Sequence, residues 1–329
     1  MKILTIGKND AGQRLDKFIG KAVPSLPQSL MYKFIRTKKI KVNRKRAEQK
    51  TILNEGDEVF FFIRDEFFDA PEKDMGALYR IKPKLSVVYE DENIMLLDKR
   101  PGVLVHEDKE GAENTLLIHL RAYLCQKGEY DPADELSFAP SLCNRIDRNT
   151  GGIVIAAKNA AALREMNAKI KAGELSKFYL CAVHGRMPAK EDTLTGYLYK
   201  NADTNTVDVS DEYRKGYKNI ATQYKVLSEK KGLSLLEVRL LTGRTHQIRA
   251  HLSHIGHPLL GDGKYAENRA DRAKGYKYQA LYSYRLIFSF TPSEEAGVLD
   301  YLSGKEFTVP KENIWFLNEF YYEKGSGNA

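Results

Sequence analysis

Apolar and polar positions divide the chain into three stretches. In the first, Arg14 to Ala22 spaces its apolar residues as a helix does, and a second helix opens at Pro27 with Leu30, Phe34 and Ile35 on one face. Ser25 and Pro27 supply its start signals. Ile40 to Asn43 alternates in the manner of a strand, and Asp57 to Ile63 follows the Glu55-Gly56-Asp57 turn as another. Residues 65–83 are acidic, hold two prolines and show little periodicity, which predicts a linker.

From residue 84 the pattern becomes strand-rich. SVVYEDENIMLLDKRPGVLVH reads as three strands joined by turns, followed by a helix over Asn114 to Lys127. Phe138 to Asp147 and Gly152 to Lys158 read as strands joined by the Arg148-Asn149-Thr150-Gly151 turn, with a helix over Ala161 to Lys171 after them. Further strands are predicted at Lys177–His184, Ala221–Ser228, Leu233–Leu241 and Leu281–Phe290. Few strands are separated by a helix, so the expected fold is α+β with a large mixed or antiparallel sheet. The expected division is a small N-terminal αβ domain over 1–65, a linker over 66–83 and a large domain over 84–329. The GSGNA ending reads as a disordered tail.

Composition changes this picture in one respect. Hydrophobic residues at 42% and charged residues at 29% are ordinary for a globular protein. No apolar run approaches the roughly 20 residues of a membrane span, and MKILTIGKNDAGQRLDKF turns polar too soon for a secretory signal. Cys125, Cys143 and Cys181 lack C-x-x-C spacing and read as reduced thiols, so a cytoplasmic protein is expected. The net charge of +8, however, is unevenly placed. Residues 1–50 carry fourteen Lys/Arg against Asp10, Asp16 and Glu48, whereas residues 51–76 carry eight acids against two bases. So local an excess of positive charge points to a polyanion partner, and nucleic acid is the commonest one.

Two stretches carry candidate chemistry. Asn144-Arg145-Ile146-Asp147-Arg148-Asn149-Thr150-Gly151-Gly152 places an acid between two arginines before a Gly-Gly turn. Taken alone, Asp147 could be a turn residue bonding the backbone two residues on. It could equally be a partly desolvated carboxylate held ionised by a guanidinium, as covalent or general-base catalysis requires. Leu241-Thr242-Gly243-Arg244-Thr245-His246-Gln247-Ile248-Arg249-Ala250-His251-Leu252 reads as a helix from Thr245, with Gln247 and Arg249 on different faces. Its histidines, with His254 and His257, raise a metal alternative, but they lack the acidic partner of H-E-x-x-H.

Together these stretches resemble the RluA-type family of pseudouridine synthases. Arg145, Asp147, Thr150 and Gly152 match the family's His-Arg-Leu-Asp-x-x-Thr-Ser-Gly, and Arg244, His246, Gln247, Ile248 and Arg249 match its Thr-Gly-Arg-x-His-Gln-Ile-Arg. Lys177-Phe178-Tyr179 resembles the strand carrying the family's active-site tyrosine. Asp98-Lys99-Arg100-Pro101-Gly102 and His257-Pro258-Leu259-Leu260-Gly261-Asp262, followed by Lys264-Tyr265, also fit. The similarity spans about residues 85–292. Asn144 and Gly151 depart from the pattern, the first losing a chargeable group and the second threatening a looser turn around Asp147.

The resemblance implies an enzyme that turns uridine into pseudouridine in structured RNA, without cofactor or metal. Asp147 would be the catalytic carboxylate, Arg249 its ion-pair partner and Tyr179 the ring that stacks on a flipped base and helps remove the final proton. Arg145 would fill the space the base leaves, and Arg244 would contact a phosphate or the site itself. The N-terminal stretch separately resembles the alpha-L RNA-binding domain through Arg14-Leu15-Asp16-Lys17-Phe18, Tyr32-Lys33-Phe34-Ile35-Arg36, Ile40-Lys41-Val42-Asn43 and Glu55-Gly56-Asp57. There Lys33, Arg36, Lys38, Lys39, Arg44 and Arg46 would face phosphates. Large-subunit ribosomal RNA is the first expected substrate and transfer RNA the second, for a monomer. A non-catalytic RNA-binding or ribosome-assembly factor and a metal-dependent hydrolase are the rival readings.

Overall fold

A computed structural model describes residues 1–69, 76–107, 114–201, 204, 206–292 and 296–321. The first elements are β1 (Lys2–Thr5), α1 (Leu15–Ala22), α2 (Gln28–Arg36), β2 (Ile40–Val42), β3 (Lys45–Arg46) and β4 (Glu58–Phe61). They form an antiparallel sheet of order β1-β4-β2-β3. Leu15, Phe18 and Ile19 of α1 bury against Met31 and Ile35 of α2 and against Ile40, Val42, Val59 and Phe61 of the sheet. Asn43 and Arg44 both take positive φ, 48° and 62°, as a two-residue hairpin between twisted strands requires.

The stretch expected to be a linker is partly structured, because it carries apolar side chains that can be buried. Asp65–Phe68 form a 3-10 turn, with Phe67 against Phe34 and Phe68 edge-on to Phe61 at 5.3 Å between ring centres. Ala77–Arg80 form the short helix α3. Residues 70–75 within that stretch, and the whole of the GSGNA tail, fall outside the described residues.

The larger unit runs β5 (Val87–Glu90), β6 (Ile94–Lys99), α4 (Leu116–Gln126), β7 (Ser141–Leu142), β8 (Gly151–Ala157), α5 (Ala160–Ala172), β9 (Leu175–His184), β10 (Glu191–Asn201) and β11 (Thr206–Ser210). It continues with β12 (Lys218–Lys230), β13 (Leu233–Leu240), α6 (Gln247–His254), α7 (Arg269–Ala273), β14 (Leu281–Phe288), β15 (Glu306–Thr308) and α8 (Asn318–Tyr321). Among the described residues these strands make one sheet of order β11-β10-β12-β13-β9-β14-β8-β6-β5, with β15 on β14 and β7 on β8. Every pairing is antiparallel except β14 with β8, so the sheet is mixed, as the sequence predicts.

Strand alternation sorts the layers. Ile94, Leu96, Ile153, Ile155, Leu180 and Ala182 face α5 and the segment from Leu299 to Phe320. Met95, Leu97, Val154 and Ala156 face α4, while Cys181, Val183, Leu236 and Val238 face Ile248 and Leu252 of α6. Being covered on both sides, β6 and β8 are buried at every position, which explains the apolar runs Ile94–Leu97 and Ile153–Ala157 within them. Thr115 and Asn159 cap α4 and α5, accepting from Ile118 N and Ala162 N, and Gly173 ends α5 with φ 77°.

Three expected elements differ. Only Ser141–Leu142 of the predicted 138–147 strand pair as a strand. Beyond Cys143, whose N–H reaches Ile155 O, the Asn144 side chain replaces the backbone and accepts from Ile155 N at 2.7 Å. That substitution releases the main chain to bend toward Asp147. The predicted strand at VLVH reduces to an isolated bridge between Leu104 and Thr115. The helix expected from Thr245 begins at Gln247, because His246 takes a left-handed backbone with φ 53°.

Candidate active site

The stretch around Asp147 is held from three sides. The Lys99 ammonium donates to the carbonyls of Val103 (2.9 Å), Arg148 (2.9 Å) and Arg100 (3.2 Å). Gly102 N also donates to Arg148 O, at 2.8 Å. Thr150 N closes the turn onto Asp147 O, and Gln279 Nε2 holds the Thr150 hydroxyl. Burial pulls the Lys99 ammonium down to about 7, and the charges of Asp147 and Asp98 oppose that fall. The glycine expected to loosen the turn does not. Gly151 lies within β8, and the Tyr282 ring occupies the space a side chain would take. Gly152, with φ 112°, passes so close to the Ser283 backbone that a Cβ would overlap it.

The second stretch delivers a guanidinium to the same point. Gln247 is buried and makes four hydrogen bonds: it accepts from Thr242 Oγ1 and Arg244 N, and donates to Ala221 O and Thr222 Oγ1. These pin the 242–247 loop to β12 and fix where α6 starts. Two positions along, Arg249 Nη1 donates to Asp147 Oδ2 at 2.7 Å. The ion pair expected between these residues is therefore present in the fold.

Arg249 has a second carboxylate partner that sequence reasoning did not assign. Its Nε and Nη2 donate to Asp262 Oδ2 and Oδ1 at 2.7 and 2.9 Å, a two-pronged contact to a fully buried acid. Asp262 Oδ1 also accepts from the N–H groups of Lys264 and Tyr265. Burial works against the Asp262 charge, but Arg249 and these amides outweigh it and hold the carboxyl below its ordinary range. Burial likewise opposes charge on Arg249, while Asp262 and then Asp147 outweigh it and raise its pKa. The guanidinium is a fixed cation between two anions. The only sequence signal for Asp262 was its place in the Gly-Asp-x-Lys-Tyr run.

Around this clamp stand three rings. Tyr265 lies 5.1 Å from the Arg249 guanidinium. Its hydroxyl accepts from Val207 N and meets His246 Nδ1 at 2.7 Å. Burial first, then Arg249 and Lys264, lower the His246 pKa against the pull of Asp147 and Asp262, so the imidazole is neutral at pH 7. The other ring nitrogen, Nε2, stands 3.7 Å from Asp147 Oδ2. Tyr179 on β9 forms a buried wall. Burial pushes its hydroxyl up to about 12; bonding to Ser283 opposes this and the Asp147 charge adds to it.

Asp147 keeps 27% of its side chain exposed, to a cleft of about 1720 Å³. Arg145, Lys177, Tyr179, Arg244, His246 and Arg249 line the same cleft. Arg145 and Arg244 are exposed and make no ion pair with Asp147. The fold thus gathers Asp147, Arg145, Tyr179, Arg244 and Arg249 in one place. It leaves Lys33, Arg36, Lys38, Lys39, Arg44 and Arg46 elsewhere, exposed on the N-terminal sheet and α2. The other histidines disperse: His251 Nδ1 meets Thr222, His254 meets Asp211 and His257 meets His184 O. Among the described residues no group of His, Cys, Asp or Glu is placed to hold a metal, and no helix is long and apolar enough to cross a membrane.

Known proteins resemble this chain. The sequence profile of a family described as RNA pseudouridylate synthase matches residues 93–254, the span containing Asp147, Tyr179 and Arg249. An uncharacterised RNA pseudouridine synthase of Mycoplasma genitalium is 33% identical over 312 residues, covering 92% of this chain and 94% of its own. Ribosomal large subunit pseudouridine synthase C of Salmonella typhi is 30% identical over 281 residues, covering 83% of this chain and 82% of its own. Among solved structures, human RNA pseudouridylate synthase domain containing 4 shares the fold, with TM-score 0.55 at 19% identity over 71% of this chain and 92% of its own. Shared ancestry over nearly the whole length places this chain in the RluA-type family of RNA pseudouridine synthases, enzymes that isomerise uridine in RNA.

Proposed function

We propose that this synthase modifies large-subunit ribosomal RNA in the cytoplasm, as a monomer, with Asp147 as its catalytic carboxylate. The observation that carries the reading is the clamp at the cleft floor: Asp147 held by Arg249, and Arg249 held by buried Asp262. The ribosomal substrate is supported by the names of several relatives, and transfer RNA is the second candidate.

Pseudouridine formation breaks the bond from the sugar C1′ to N1 of the base, turns the base, and joins C1′ to C5, which then loses its proton while N1 gains one. The uridine must leave its stack to reach the cleft floor. Asp147 attacks sugar or base, or takes a ribose proton, and each route needs an ionised carboxylate. Arg249 fixes the carboxyl in place, because its guanidinium cannot move away without breaking from Asp262. His246 Nε2 stands 3.7 Å from the same oxygen. Tyr179 presents a neutral ring for the flipped base, since its hydroxyl ionises only near pH 12. Arg145 fills the gap left in the RNA, and Arg244 meets a phosphate at the cleft mouth.

The N-terminal unit holds the RNA as an alpha-L-type module. Lys33, Arg36, Lys38, Lys39, Arg44 and Arg46 present charge without fixed carboxylate partners among the described residues, which suits phosphates approached without reading sequence. Large-subunit ribosomal RNA and transfer RNA, each transcribed with 5-tritiated uridine, separate the substrates. Tritium release from the ribosomal transcript is expected; release from transfer RNA alone would overturn the assignment, and release from neither would return the chain to a binding role.

A further inference from the structure

A second cavity, of about 680 Å³, adjoins the main cleft and is not used by the chemistry above. Its walls are Tyr276, Tyr278, Tyr282 and Trp315, and Arg100, Lys274 and Lys277 are exposed at its rim. Tyr276 and Trp315 lie 5.8 Å apart at 35°, presenting adjacent aromatic surfaces. The Trp315 indole nitrogen is buried without a hydrogen-bond partner in the fold. One carboxylate, Asp98, also lines the cavity, but it accepts from Tyr282 Oη at 2.6 Å and Asn313 Nδ2 at 2.9 Å. The charge at the opening is therefore positive.

Cavity and cleft meet along one segment of chain. Along the irregular segment 276–279, Tyr276 and Tyr278 line the cavity, Gln279 lines the cleft, and Lys277 lines both. Beside that segment, the turn through Gly102 bonds the Arg148 carbonyl next to Asp147, while a Cβ at Gly102 would stand 2.8 Å from the Tyr278 hydroxyl. A strand of RNA with one uridine at Asp147 thus has a neighbouring site within reach of an adjacent nucleotide. Aromatic faces beside cations suit a base and its phosphate, because stacking accepts any base and the cations meet the backbone.

We propose that this cavity is a second nucleotide subsite: it takes an unpaired nucleotide of the same RNA, with the base against Tyr276, Tyr278 and Trp315 and the phosphate at Arg100, Lys274 and Lys277. The subsite rests on the reading of the main cleft as the uridine site. It would let the enzyme recognise a uridine by an unstacked neighbour, and so favour loops over duplexes.

Two measurements on the full-length protein test it. Large-subunit ribosomal RNA transcripts carrying sparse 4-thiouridine or 6-thioguanosine are irradiated with the enzyme, and cross-linked peptides are identified by mass spectrometry. Cross-links at Tyr276, Tyr278 or Trp315 alongside cross-links in the cleft support the subsite. Cleft cross-links without any at these three overturn it and leave the function intact. No cross-links in either place, with no tritium release, would sink the function and the subsite with it. In steady-state turnover, Tyr278→Ala should raise KM about ten-fold with kcat kept, as expected when one base loses its stacking partner. Tyr278→Phe should restore it, and Lys274→Ala, an exposed position remote from the fold's core, should raise KM in the same direction. A fall in kcat with KM unchanged in Tyr278→Ala would mean the ring supports the Gly102 turn instead of a base.

Discussion

Replacing Asp262 by Asn changes one charge and almost no volume, at a residue that touches neither solvent nor the cleft. The amide oxygen can keep the Lys264 and Tyr265 N–H bonds and the contact with Arg249 Nη2. The amide nitrogen would then face Arg249 Nε, donor against donor, where the carboxylate now accepts at 2.7 Å. A hydrogen bond to a charged group contributes about 1.5–3 kcal/mol. Breaking a buried pair from one side costs about 3–5 kcal/mol. Asp147 remains as a partner for the guanidinium, so the lower end applies and stability should fall by about 3 kcal/mol.

The informative design pairs this change with Arg249→Met, which removes the cation and strands Asp262. That single change should cost about 3–5 kcal/mol. The double variant should cost less than the sum by at least about 2 kcal/mol, because the two residues act as one unit. Urea unfolding read by Trp315, the single tryptophan, reports on the larger unit directly. Asp262→Asn should also lower kcat for tritium release, since Arg249 would no longer be held in place behind Asp147. Costs that add to within about 0.5 kcal/mol would show that the clamp is not a coupled unit and refute the argument built on it.

Three further outcomes follow from particular residues. Burial, with the neighbouring His254 charge, drives His251 down to about 4, while the Thr195 backbone and Asp211 oppose the shift. The unfolded chain then binds more protons between pH 4 and the ordinary 6.5, so stability is whole above 6.5 and falls by about 3 kcal/mol as pH drops through that window. Urea midpoints at pH 7.5 and 4.5 should differ less in His251→Asn; an equal acid loss in both proteins would exclude His251 as the cause. Gly151→Ala should destabilise by about 1–3 kcal/mol, because its methyl group would overlap the Tyr282 ring, which Asp98 holds in place. An unchanged thermal midpoint would mean that ring moves freely. Replacing Arg36 and Arg44 by Ala should lower the slope of log affinity against log salt by about 0.7–0.9 for each phosphate no longer neutralised. A slope that does not move would take the N-terminal unit out of RNA binding.

The parts of this structure legible from sequence are those whose cause is local. β6 holds the apolar run Ile94–Leu97 and β8 the run Ile153–Ala157, and α5 carries its own Asn and Gly boundaries. The two motif stretches could be read because each is contiguous. β10 and β11 went unseen because EDTLTGYLYKN lies toward one end of the sheet and is mostly exposed or half-buried, leaving little hydrophobic alternation to read. The strand predicted up to Asp147 failed because a side chain, Asn144, takes over the pairing. Asp262 is thirteen residues from Arg249 along an irregular path, so no periodicity marks their pairing. Lys99 was visible only as part of a motif. That its ammonium gathers three carbonyls, one of them next to Asp147, is a fact of folding.

The central claim is that Asp147 performs the chemistry while its surroundings hold it ready. Asp147→Asn keeps an oxygen for Arg249 Nη1 and should leave the fold and RNA affinity nearly unchanged. Tritium release from 5-tritiated uridine in large-subunit ribosomal RNA should then be abolished. Release at the wild-type rate, with the same RNA bound equally well, would contradict the assignment and place the reacting group elsewhere in the cleft.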